Sequence, residues 1–119
     1  MYNDIESVVS RMVYTFEELK ERISPIAHKY DIPAVYIFGS YARGDATADS
    51  DVDVLIQRRG SKIVTMFDMG GLYNDLDEKL SKSLDLVTLE SLEQEDTKQR
   101  TPWFVDSLLK ERRLIYAKS

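Results

Sequence analysis

An α/β fold, a small β-sheet flanked by helices, is predicted by three observations on this sequence. Short runs rich in β-forming residues recur at 34–38, 51–57 and 84–88, and amphipathic stretches of helical period separate them. The chain has 119 residues, 43% hydrophobic and 31% charged. That is enough for one core burying roughly two thirds of the unfolded surface, so a single domain over 1–119 is expected.

The elements follow in order. A helix is expected near 4–12. Thr15-Phe16-Glu17-Glu18 reads as a capping box, and Phe16, Leu19, Ile23, Ile26, Ala27 and Tyr30 recur at helical spacing behind it, giving a helix over about 16–30. Pro25 should kink or split that helix, because its ring removes a hydrogen bond and clashes with the preceding turn. Ala34 to Phe38 forms a first strand, apolar throughout and expected to be buried on both faces. Gly39 follows, and Ser40 to Arg43 can make one helical turn before the small polar stretch Gly44 to Ser50. A second strand runs from Asp51 to Gln57. Met66, Met69, Tyr73, Leu76 and Leu80 give the apolar face of a helix over about 63–81, with a local break expected at Gly70-Gly71. Leu84 to Thr88 is a third strand. Thr101-Pro102 opens a helix to about Arg112, and Leu114 to Ala117 closes the chain as a strand or extended tail.

Composition excludes several classes. There is no cysteine, so disulfides, thiolate-zinc sites and cysteine nucleophiles are absent. No apolar run approaches the roughly 18 residues of a membrane span. The opening MYNDIESVVSRM is charged and lacks a signal-peptide core, so a cytoplasmic location is expected. The net charge of −5 has the wrong sign for an electrostatic nucleic-acid binder. Asp45, Asp49, Asp51 and Asp53 crowd the stretch after Arg43, which is the only cation nearby in the sequence.

Asp51 and Asp53 stand two apart on a strand, so both carboxylates project from one face about 6.5 to 7 Å apart, with Val52 and Val54 turned to the core. Neighbouring anions repel, and a divalent cation or solvent keeps them ionised; hard oxygen ligands select magnesium or manganese over zinc. Asp85 is a third carboxylate, set unusually between Leu84 and Leu86. Should its strand neighbour the second, three carboxylates meet, as in a two-metal phosphoryl or nucleotidyl transfer site. Gly39 lets the backbone approach a ligand closely, Ser40 adds a hydroxyl donor, and Arg43 can pair with a phosphate oxygen. A bare Asp-x-Asp more often marks a solvated turn, but its alternatives fail here. An EF-hand loop from Asp49 would put Val54 at the required glycine and Gly60 at the required glutamate. An aspartyl-phosphate phosphatase would have the apolar run before the pair, whereas here it follows.

Gly39-Ser40, ten intervening residues and Asp51-Val52-Asp53 resemble the Gly-Ser-x10-Asp-x-Asp signature of the polymerase-beta-like nucleotidyltransferase superfamily. FGSYARGDATADSDVDVLI is similar to its minimal, MNT-type branch, and LDLVTLE supplies the third acidic position. The resemblance covers the chain from about residue 15. It implies a small mixed β-sheet of that fold and a two-metal transfer of a nucleoside monophosphate, commonly AMP from ATP, onto a hydroxyl. Asp51 and Asp53 would hold the metals, Asp85 would bind the catalytic metal or help deprotonate the acceptor, and Gly39, Ser40 and Arg43 would hold the triphosphate. Minimal members often pair with a helical HEPN partner as antitoxin and toxin, and some modify a tyrosine of that partner. Two other readings stand beside it: a catalytically quiet module that neutralises a helical partner by contact, and a stand-alone transferase whose acceptor pocket a homodimer would supply. The remaining residues have plainer expectations. Asp45 and Asp49 are solubilising loop charges, His28 a surface residue, Met66 and Met69 core filler, Trp103 and Phe104 core, and Lys110 to Arg113 a solvated helix end.

Overall fold

The computed structural model describes residues 12–94 and 99–119. The helix expected near 4–12 lies, Met12 apart, outside them. The described elements are α1 (Phe16–Lys29), β1 (Ala34–Phe38), α2 (Gly39–Arg43), β2 (Val52–Ile56), α3 (Met66–Leu80), β3 (Leu84–Thr88), α4 (Leu89–Leu92), α5 (Pro102–Glu111) and β4 (Arg113–Ala117). The four strands form one sheet in the order β3-β2-β1-β4. β1 pairs antiparallel with β2 and β4, while β2 and β3 are parallel, joined by the crossover through α3. The sheet is therefore mixed, with β3 and β4 as its two edge strands.

Alternation along the strands divides the apolar side chains between two faces. Val35 and Ile37 of β1 and Val52, Val54 and Ile56 of β2 pack with Leu19 and Ile23 of α1 and Leu72, Leu76 and Leu80 of α3 in the main core. On the opposite face Phe38 and Leu55 meet Leu92, Val105 and Leu108 in a smaller cluster under α5.

The Thr15–Glu18 capping box starts α1 as expected, with Thr15 Oγ1 accepting from the Glu18 amide at 3.1 Å and Glu18 Oε1 from the Thr15 amide at 2.8 Å. Pro25 does not split the helix, which runs unbroken from Phe16 to Lys29. Pro25 is exposed, so water can serve the carbonyl its ring leaves without a partner, and the Ser24 hydroxyl bonds the Lys20 carbonyl beside it at 2.6 Å. Nor does Gly70-Gly71 break α3. That helix begins at Met66 because Thr65 and Asp68 form a second capping box, which leaves Met66 beyond the sheet and 86% exposed. Met66 is thus surface rather than core, Tyr73 is also exposed, and the buried face of α3 is Leu72, Leu76 and Leu80. Among the described residues no helix is long and apolar enough to cross a membrane.

Candidate active site

The site forms where β1 ends. Phe38 lies opposite Asp53 in the antiparallel register, and the chain then turns sharply at Gly39 into the short helix α2. Gly39 has φ +69°, and a Cβ there would strike the Asp53 carboxylate oxygen Oδ2 and stand 3.1 Å from its carboxyl carbon. Glycine is required twice over, by the left-handed backbone and by the carboxylate occupying a side chain's place.

Asp53 and Asp85 are register partners on the parallel strands β2 and β3, so their backbones lie about one strand spacing, roughly 4.8 Å, apart. Asp51 immediately precedes β2. Asp53 is half-buried, whereas Asp51 and Asp85 are exposed. Burial, and then the charges of Asp85 and Asp51, push the Asp53 carboxyl up from 3.8 to about 6, with Arg43 pulling weakly the other way. Gly39, Ser40, Arg43, Asp51, Asp53 and Asp85, all six residues singled out in the sequence, line one cleft of about 520 Å³.

The cleft's opposite wall is a face of α5 that the sequence reading did not identify: Phe104, Ser107, Leu108 and Glu111. Their spacing of 3, 1 and 3 marks a single helix face, and the polar residues at 107 and 111 are the signal that could have found it. Phe104 is 38% exposed and Trp103 69%, so neither belongs to the core as expected. Arg43 Nη1 donates to Glu111 Oε2 at 3.2 Å and its Nε to Asp45 Oδ2 at 3.3 Å. Asp45 and Glu111 therefore orient Arg43 rather than serving as solvated charges. Both pairs are long and half-exposed, worth at most about 1 kcal/mol each. His28 and Asp49 are exposed, and neither lines the cleft. Lys82, buried, donates to the Ala48 carbonyl at 3.0 Å and ties the loop before Asp51 to the approach to β3.

The donor set suits a hard divalent cation. All three acidic groups offer oxygen; burial first, and then the neighbouring negative charges, raise Asp53's proton affinity, and a bound cation would neutralise those charges. Among the described residues no three or more His, Cys, Asp or Glu side chains stand close enough together, as placed, to hold a metal ion by themselves.

Residues 21–119 match the family described as polymerase beta, nucleotidyltransferase. A Methanocaldococcus jannaschii protein, named as a candidate protein adenylyltransferase, is 36% identical over 75 residues, spanning 63% of this chain and 78% of its own length. The protein adenylyltransferase MntA of Thermococcus cleftensis is 32% identical over 88 residues, or 74% of this chain and 80% of that protein. Among solved structures, a toxin–antitoxin crystal structure with AMP-PNP aligns at TM-score 0.63 and 18% identity, over 84% of this chain and 74% of the other. A structure of a tri-AMPylated Shewanella oneidensis HEPN toxin with its MNT antitoxin aligns at TM-score 0.59 and 15% identity, over 87% and 74%. At those identities the structural likeness is one of fold. The sequence match, by contrast, runs through the glycine turn, all four strands and α5 to the last residue, and by it the chain belongs to the polymerase beta nucleotidyltransferase family of enzymes.

Proposed function

We propose that this chain transfers AMP from ATP to a hydroxyl of a protein partner, a tyrosine of a helical HEPN-type toxin, and so acts as its antitoxin. The observation that carries the chemistry is that Asp51, Asp53 and Asp85 line one cleft with Gly39 and Ser40, with Asp53 and Asp85 opposite each other on adjacent parallel strands. The adenylyltransferase names of the relatives and the AMPylated HEPN toxin bound to an MNT antitoxin support the donor and the partner.

In this reading Asp51, Asp53 and Asp85 hold magnesium, with manganese as a substitute. Bound there, the metal would stabilise negative charge on the entering and leaving oxygens. The backbone at Gly39 and the Ser40 hydroxyl hold the triphosphate, and Arg43 pairs with a phosphate oxygen using donors beyond those given to Asp45 and Glu111. The acceptor oxygen bonds to the α-phosphorus, the bond to the β-phosphate breaks and pyrophosphate leaves. Asp85, exposed at the cleft, takes the hydroxyl proton.

The test is incubation of the purified chain with α-labelled ATP and magnesium, with and without lysate of its native host, beside Asp53→Ala. Label on one protein only with the intact site is expected, and mass spectrometry of that protein identifies the modified residue. Equal labelling by the variant would refute the assignment. Neutralisation of the toxin by the triple aspartate variant would instead establish the contact-only antitoxin.

A further inference from the structure

Phe104 stands out on the cleft wall. Of the apolar residues lining the cleft, Phe38 is 6% and Leu108 2% exposed, each committed to the smaller core, while Phe104 stays 38% exposed in a cleft otherwise lined mostly by polar and charged residues. It sits on the same α5 face as Glu111, which accepts from Arg43 Nη1 at 3.2 Å. Phe104 and Glu111 are seven positions apart along the helix, a rise of about 10 Å. That is on the order of the span between the phosphates and the base of an extended nucleoside triphosphate. Ser107 lies between them, about one turn along the same face.

We infer that this face of α5 measures out the nucleotide, with the triphosphate at the Arg43–Glu111 end and the base stacked on Phe104. The inference rests on the nucleotidyltransferase reading above and adds the base subsite to it. Trp103 meets Phe104 edge to face, with ring centroids 6.2 Å apart and planes at 81°. Every base has a π-face, so such a platform grips nucleosides with little preference among them.

Calorimetric titration of the full chain with magnesium AMP-PNP and with magnesium tripolyphosphate separates the two ends of the cleft. Phe104→Ala and Phe104→Leu should each weaken AMP-PNP about tenfold and leave tripolyphosphate unchanged, whereas Phe104→Tyr restores AMP-PNP. Trp103, the only tryptophan, should report AMP-PNP by a change in fluorescence that tripolyphosphate does not produce. If neither ligand binds the wild-type chain, the nucleotide reading itself falls. If both bind and Phe104→Leu, which keeps an apolar side chain in place, leaves AMP-PNP affinity intact or weakens both ligands equally, the base platform is overturned while the phosphate site stands.

Discussion

Under α1 and α3, β2 contributes Val52, Val54 and Ile56, none more than 1% exposed, to an apolar core. From the other side of the same five-residue strand come Leu55, which joins the smaller cluster, and Asp53, which does not. One residue of register thus separates the best-packed part of the molecule from its least comfortable charge. The main core holds β2 rigid, and that rigidity keeps a carboxylate where burial and two like charges disfavour its ionised form. The lesson is that stability on one face offsets electrostatic tension on the other, and substitutions should separate the two.

The largest effect is expected from the core. Leu76→Ala, at a side chain 1% exposed, should cost about 3 kcal/mol, read as a lower urea midpoint. AMP-PNP affinity of the folded protein should not change; if it falls in parallel, the two faces are not separable. Asp53→Asn sharpens the contrast from the other side. It should lower transfer by about a hundredfold or more, beyond what loss of an outer metal-site partner costs. At pH 7 the metal-free protein should nevertheless become more stable, by about 1 kcal/mol once the half exposure of the group is allowed for. A drop in its melting temperature would break the comparison. Gly39→Ala probes the joint between the faces: about 2 kcal/mol lost to the left-handed backbone and to the displaced Asp53 carboxylate, with transfer falling too.

The smallest effect lies on the helical side, where Asp75 accepts from Lys29 Nζ at 2.8 Å and the Tyr30 hydroxyl at 2.7 Å. The Lys29 bond first, and then the Tyr30 bond, hold its carboxyl below its ordinary 3.8. A lowered carboxylate stabilises the fold fully above its ordinary value, and the contribution disappears as pH falls through the folded one. Asp75→Asn should therefore cost under about 1 kcal/mol at pH 7, and the gap to wild type in urea midpoint should close below pH 3.8.

What could be read from the sequence follows from how local each signal is. Strands such as Ala34–Phe38 and the Asp51-Val52-Asp53 alternation are written in consecutive residues. The partnership of Asp85 with Asp53 depends on parallel pairing across α3, and Asp85's own neighbours show only that a charge sits oddly among leucines. Trp103 and Phe104 look like core residues because apolar spacing marks a helix face without saying whether it meets a core or a cleft. Glu111 was hidden in the charged run 110–113, since its partner Arg43 lies 68 positions away. The start of α3, in contrast, was available: Thr65 and Asp68 spell a capping box that places Met66 outside.

The contact between Gly39 and Asp53 also bears on how activity decays among relatives. Losing the acid would remove the steric bar to a side chain at position 39 but not the positive φ, so glycine would stay favoured after catalysis had gone. A surviving Gly-Ser pair is therefore a record of the turn, and only the aspartate that fills the space beside it tells a working enzyme from a descendant that has kept the shape alone.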